Sequence, residues 1–379
     1  MRTGKRRVGM VLVAAVLGVG VGACGSDSKS GSSSAGGSNG TGSDAAASVA
    51  QFEAAAKKAM EPTAEWIGPT EGPKAVGGKR IMFLSCSFAA DGCKRPADAA
   101  KAAGKALGWN VNVVDGKFDQ RVWNQAIQQA VDQKVDGIIL DAIAVEAVSG
   151  AVERARKAGI PVGSFDGFND QSDTGVVFDI RSDYRAQGRS LANYAAWKGG
   201  GKATAYLLNA PEFKVCVEQI VGAQEAFEEC PTCEIVKKDD FTGAEGPTRV
   251  PQLISSALAQ HPNITTIIAP YDAALLNAVP NLPESEKVTV GAYNGIKAWL
   301  QLIRDGKVAA TSAEAKEWGT YAAFDNLNRV FAGQEPIEQK LPIRLITKEN
   351  IDEIPEGQAW TGDVDYASHF AEIWSDSAA

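Results

Sequence analysis

Histidine is nearly absent from this chain, with two in 379 residues, His261 and His369. Neither has a second histidine or a cysteine at ligand spacing, so zinc chemistry and histidine-dependent catalytic triads are poorly supplied. Basic clusters are lacking beyond the first seven residues. Lys and Arg number 38 against 46 Asp and Glu, a formal charge of −8. An acidic chain without a basic patch carries no electrostatic footprint for nucleic acid. There is no P-loop and no H-E-x-x-H motif. Gly18-Val19-Gly20 starts like a dinucleotide fingerprint, but it lies inside an apolar leader. That leader, Val8 to Ala23, falls short of the roughly 20 residues a membrane-spanning helix needs.

What is present at the N-terminus reads as an address. Arg2, Lys5, Arg6 and Arg7 precede the apolar run, which ends in Val21-Gly22-Ala23-Cys24. A basic start, a short apolar stretch and small residues before a cysteine make an export signal. The last four residues resemble the lipobox of bacterial lipoproteins, in which the cysteine, here Cys24, becomes the lipid-modified N-terminus. An ordinary cleaved signal with a coincidental cysteine is the alternative. Gly25 to Ser43 is mostly Gly and Ser, too polar to bury and suited to spacing a domain from a surface. The expected division is a signal over 1–23, a tether over 24–43, and an N-terminal helix with an extended connector over 44–78.

Five of the six cysteines lie beyond Cys24, and in an exported chain they read first as disulfide partners. Cys86 and Cys93 flank one loop; Cys230 and Cys233 join a helix end to a strand start. A redox-active C-x-x-C would sit at a helix N-terminus, where the dipole favours thiolate, whereas this one follows a helical stretch. Local structural bridges Cys86–Cys93 and Cys230–Cys233 are therefore expected. Cys216 is left over as a small buried hydrophobe.

From Lys79 onward short apolar strands alternate with helical segments. Strands are expected at 81–85, 110–114, 137–140 and 160–165, with helices at 96–107, 120–133 and 145–158 between them. A second run repeats the scheme, with strands at 203–208, 234–238, 265–268 and 288–291 and helices at 183–197, 215–228, 247–260 and 272–279. A helix over 315–332 follows. This alternation implies βαβ units and parallel, doubly wound sheets. Two such runs give an α/β fold of two lobes joined by a hinge, with a cleft between them. The expected lobes are 79–180 with 315–342, and 181–314 with 343–379.

Ligands bind open α/β sheets in the crevice beyond the carboxyl ends of the strands. The residues there are Ser87, Phe88 and Asp91, then Asp141, then Asp166 in the first run. In the second they are Phe241 with Thr242, Tyr271 with Asp272, Tyr293 with Asn294, and Ser312 with Glu314. Each alone reads equally well as a cap or turn residue; as a set at equivalent ends of two sheets they would converge if the lobes faced each other.

Several segments carry a family resemblance. They are Gly137-Ile138-Ile139-Leu140-Asp141, Ala158-Gly159-Ile160-Pro161-Val162 with Phe165-Asp166-Gly167, Val290-Gly291-Ala292-Tyr293-Asn294-Gly295, and Ile303 to Thr311. On these, Lys79 to about Ile346 resembles the type I periplasmic binding proteins, the group of the ribose- and galactose-binding proteins of ABC importers. The resemblance implies that Asp141, Asp166 and Asn294 hold sugar hydroxyls and that Phe241 is an aromatic wall. Tyr271 stands where ribose binders place an amide, and Glu314 where they place a glutamine. Phe88 and Asp91 lie in the first-strand loop. That loop departs from the family pattern, as do Gly167 in place of arginine and Glu218-Gln219 where an arginine is expected.

The expected function is capture of a small ligand by lobe closure and its delivery to an ABC permease, with no catalysis, no cofactor and no metal. A neutral sugar or polyol is favoured, and a cationic amine against the aromatic faces is the alternative. A sensor role towards a membrane receptor also fits, whereas a secreted hydrolase using two cleft carboxylates has no motif to support it. The protein is expected to act as a monomer on the outer face of the membrane, held there by lipid on Cys24.

Overall fold

The computed structural model describes residues 40–285 and 287–375; the signal, most of the tether and Cys24 lie outside them. The first lobe is built from β1 (Arg80–Ser85), α2 (Asp91–Ala106), β2 (Asn110–Asp115), α3 (Gln120–Asp132) and β3 (Gly137–Asp141), preceded in the chain by helix α1 (Gly40–Met60). It continues through α4 (Ser149–Lys157), β4 (Val162–Phe165), the short α5 (Gln171–Thr174) and β5 (Phe178–Ile180). Its five strands run parallel in the order β2-β1-β3-β4-β5.

The second lobe begins with α6 (Tyr184–Lys198), β6 (Ala203–Asn209), α7 (Lys214–Glu228), β7 (Cys233–Asp240) and α8 (Gly246–Gln260). It adds β8 (Thr266–Ile268), α9 (Asp272–Leu275), β9 (Thr289–Asn294), α10 (Lys297–Arg304) and β10 (Ala310–Glu314). After helix α11 (Lys316–Phe331) returns to the first lobe, strand β11 (Ile343–Thr347) closes the second sheet and α12 (Tyr366–Trp374) ends the described chain. The six strands are ordered β11-β10-β9-β8-β6-β7, with β11 alone antiparallel.

The strands form where the sequence is most apolar. All five residues of β3 are buried, as are all but the first of β1, as a sheet covered on both faces requires. Helix starts are set by carboxylates: Asp119 accepts from the Arg121 N–H at 2.8 Å and Asp183 from the Ala186 N–H at 2.9 Å, each satisfying a donor with no intrahelical partner.

Three boundaries depart from the sequence pattern. Helix α2 begins at Asp91 and runs through Pro96, where the ring leaves the Gly92 carbonyl without its intrahelical donor. The expected helix at 145–158 splits at Val148, whose φ of −133° is not helical. That expected at 272–279 stops at Leu275, and Val279–Asn281 forms a separate 3-10 turn.

Three crossovers link the lobes: residues 181–183, Ala315, and 332–342. The flanking segments attach to both sides. Ala56 and Met60 of α1 pack with Leu191 and Tyr194 of the second lobe, and Phe52 packs with Ala196 and Cys230. The connector then reaches the first lobe, where the Trp109 indole donates to the Val76 carbonyl at 2.7 Å and the Ala75 N–H to Trp374 at 3.0 Å. Strand β11 belongs to the second sheet, whereas α12 lies against α11, with Phe370 stacked on Trp374 and Trp374 on Tyr321. The structure joins Cys86 to Cys93 and Cys230 to Cys233, and Cys216 remains a buried free thiol. Among the described residues no helix is long and apolar enough to cross a membrane.

Candidate functional site

The carboxyl ends of the two sheets face each other across a shut cleft. Lys214 of α7 pairs with Glu146 of the first lobe, and the rings of Phe118 and Phe213 meet with centroids 5.8 Å apart. Arg95 of α2 holds the Glu317 carboxylate through two bonds of 2.7 and 2.6 Å. It also donates to the carbonyls of Asn294 at 3.2 Å and Trp360 at 2.7 Å. Gly92 permits the closest approach: a Cβ there would come within 2.6 Å of the Asn294 amide nitrogen.

Between these contacts lies a cavity of about 40 Å³, lined from the first lobe by Ala90, Cys93, Phe118 and Ala142, and from the second by Phe213, Cys216, Gln219, Tyr271 and Asn294. Lys316, the first residue of α11 beyond the Ala315 crossover, closes its floor. An outer cavity of about 400 Å³ shares Ala90, Phe118 and Tyr271 with it and extends past Ser87, Lys117 and Gly246. Phe118 is presented from a turn in which it and Lys117 both adopt positive φ, a conformation uncommon outside glycine.

The residues expected at the strand ends divide into three groups. Asp141, Asp166 and Glu314 are all buried around the Lys316 ammonium. Lys316 contacts Asp166 and lies 2.9 Å from Glu314 Oε2. Tyr184 donates to the other Asp166 oxygen at 2.5 Å and Ser182 to Glu314 Oε1 at 2.6 Å. Tyr271 and Asn294 form the second group, lining the inner cavity. Phe88, Asp91 and Phe241 form the third and do not line that cavity. The Phe88 N–H donates to Asp115, Asp91 is exposed on the first turn of α2, and Phe241 is buried behind Tyr271 at 5.8 Å between ring centroids.

Sequence reasoning passed over Lys316, Phe118 and Phe213. A signal for Phe118 existed, because it follows β2 much as Asp141 follows the body of β3. Lys316 had none: a lysine two residues past a strand end reads as solvated until the fold buries it.

Burial sets the electrostatics. Neither oxygen of Asp141 has a hydrogen-bond partner, since the Ser85 hydroxyl donates to the Cys93 carbonyl at 2.9 Å. Burial, with the Asp166 charge beside it, pushes the Asp141 carboxyl well above the usual range. Burial and Glu314 also raise Asp166, against the pull of Lys316. Burial alone would lower the Lys316 pKa, but the two carboxylates override it and hold the ammonium charged. The Lys316 ammonium thus offsets part of the negative charge that the three carboxyls would carry. Burial pushes the Cys216 thiol up, which leaves it unreactive. Among the described residues, the one grouping compact enough to share a metal is Cys86, Cys93 and Asp141, and its two sulfurs are bonded to each other.

Asp272 supplies a test of this burial. It accepts from the Ile296 N–H at 3.0 Å and the Thr311 hydroxyl at 3.1 Å, yet burial pushes its carboxyl up to about 8. Burial likewise pushes Asp179 up to about 6. A carboxyl raised in the folded state favours folding below its unfolded pKa, and that contribution is lost as pH rises through the folded value. The melting temperature should therefore fall between about pH 5 and pH 8, and Asp272→Asn should flatten the upper part of the slope. A wild-type curve flat over that range, or an unchanged slope in the variant, would show that Asp272 is ionised throughout.

Residues 81–335 match the model of the periplasmic binding protein domain. The chain belongs to this family. It is 28% identical over 217 residues to the ribose import binding protein of Bacillus subtilis (strain 168), covering 56% of this chain and 68% of that one. It is 24% identical over 226 residues to the D-apiose import binding protein of Actinobacillus succinogenes, covering 58% and 72%. A solute-binding protein from Agrobacterium vitis with bound allitol superposes with a TM-score of 0.66 at 21% identity, over 73% of this chain and 98% of that one. The two α/β lobes are those of a type I periplasmic binding protein.

Proposed function

We propose that this periplasmic binding protein captures a neutral sugar or polyol between its lobes and delivers it to an ABC importer. The observation that supports this reading best is the charge-compensated floor of the cleft. Lys316 reaches the cavity lining from a layer of buried carboxyls, Asp141, Asp166 and Glu314, and its ammonium offsets part of their charge, so the wall it shows the ligand offers N–H donors rather than bare carboxylates. Tyr271, Phe118 and Phe213 supply faces for the apolar C–H patches of a sugar ring. The relatives named above for ribose and D-apiose import, and the neighbour holding allitol, are consistent with a neutral polyhydroxyl ligand.

Function then needs no chemistry, and the family of solute-binding proteins gives no reason to expect an enzyme. The three crossovers bend, the lobes part, and reclosure remakes the Arg95–Asn294 and Lys214–Glu146 contacts around the ligand. The closed form is what a permease would read. Tyr271 and Asn294 face the ligand, Asp141, Asp166 and Glu314 lie beneath them around Lys316, and Phe241 backs Tyr271. A thermal-shift screen of the mature domain tests this. Neutral pentoses, hexoses and polyols should include at least one stabiliser, worth about 2.7 kcal/mol at a hundredfold excess over its dissociation constant. Stabilisation by sugar acids alone would refute the reading.

Anchoring is part of the proposal. Lipid on Cys24 would tie the monomeric domain to the outer face of the cytoplasmic membrane through the Gly/Ser tether. Cys24→Ser should then appear in the soluble fraction; a variant that stays with membranes at wild-type level would contradict the anchor.

A further inference from the structure

Lys316 has the surroundings of a bound ligand. Its side chain is 6% exposed, and those of Asp166 and Glu314 are fully buried. The two carboxylates come from different parts of the fold, one from the loop after β4 and the other from the end of β10. Tyr184 and Ser182 each fix one carboxylate oxygen, leaving the others aimed at Nζ. The Phe165 ring lies 5.6 Å from the same nitrogen. Paired carboxylates and an aromatic face are how an organic ammonium is held, and here the chain supplies its own. Lys316 also lines the inner cavity, so it stands where an amine entering the cleft would seek these carboxylates.

We propose that Lys316 sets the charge selectivity of the cleft: it fills the ammonium site made by Asp166 and Glu314 and so turns cationic ligands away. The inference rests on the solute-binding reading above and names the ligand class that this cleft refuses. Removing the lysine would leave two buried carboxylates without a cation, and a small primary amine would take its place.

Ethylammonium chloride and glucosamine serve as amine probes, with sodium chloride of equal ionic strength as the control, and thermal unfolding of the mature protein is the readout. Neither amine should shift the wild-type melting temperature beyond the salt control. Lys316→Ala keeps both carboxylates and opens space beside Phe165. Ethylammonium should raise its melting temperature by a few degrees, and the gain should shrink as sodium chloride is added. The triple variant Lys316→Ala/Asp166→Asn/Glu314→Gln has similar space without the charges and should not respond. Should Lys316→Ala fail to fold, Lys316→Ala/Glu314→Gln keeps one carboxylate and carries the same comparison. A wild-type protein stabilised by either amine, or a lysine-free variant indifferent to ethylammonium, overturns the proposal. Neutral sugars that leave the wild type unmoved count instead against the solute reading, a result separate from the amine comparison.

Discussion

Asp166→Ala should destabilise the domain by about 3–5 kcal/mol, the usual consequence of removing one partner from a buried ion pair. The loss has two parts. Lys316 loses one of its two ion-pair partners, and the Tyr184 hydroxyl, which donates to Asp166 at 2.5 Å, is left without its acceptor. The residue sits at φ 56°, a left-handed position that alanine tolerates less well than aspartate, so the backbone adds to the effect. Urea denaturation measures it. A variant within about 1 kcal/mol of wild type would place Asp166 in the range of solvent-exposed pairs and refute the closed network described here.

Gly188→Ala should be of comparable severity for a different reason. A Cβ on Gly188 would lie 1.9 Å from the Gln219 carbonyl oxygen and 2.6 Å from the Ala223 nitrogen. One on Gly222 would lie 2.2 Å from the Arg185 carbonyl oxygen. Helices α6 and α7 thus touch backbone to backbone, and no side-chain rotation relieves the clash. The helices must separate, at about 3 kcal/mol, the upper end of what overpacking costs. Separation also pulls on the 3.0 Å Gln187–Gln219 bond and moves Gln219, which lines the cavity, so ligand affinity should fall with stability. Gly150→Ala is the contrast, since a Cβ there meets nothing within 4 Å and the change, in the first turn of α4, should stay within about 0.5 kcal/mol of wild type. Equal denaturation midpoints for the two variants would mean that α6 and α7 are not packed as closely as described.

The βαβ rhythm made the lobes legible in sequence, because strands buried on both faces cannot hide polar residues. Ile138-Ile139-Leu140 and Leu207-Leu208 read as strands at sight. Strand β10 did not, since Ala310-Thr311-Ser312-Ala313-Glu314 is buried but not apolar. Its hydroxyls find partners only in the fold: Thr311 reaches Asp272 and Ser312 meets Ser190. The strand-end rule picks out Asp141, Asp166, Tyr271, Asn294 and Glu314 because topology decides which residues come to the carboxyl ends of the sheets; of these, Tyr271 and Asn294 line the cavity. It could not say which of them face a ligand and which face one another. That depends on Lys316, whose burial follows from the Ala315 crossover bringing α11 back beneath Asp166. Phe241 shows the same limit, for a strand-end aromatic can stand behind the cleft wall as readily as form it.

The central claim is that this cleft closes on an uncharged polyhydroxyl ligand. Isothermal titration calorimetry of the mature protein, with the neutral sugars and polyols of the thermal screen at low and high sodium chloride, addresses it most directly. The account predicts one-to-one binding by at least one of them, with a dissociation constant that is nearly the same in both salts. No binding by any neutral sugar or polyol, or an affinity that collapses as salt rises, would contradict it.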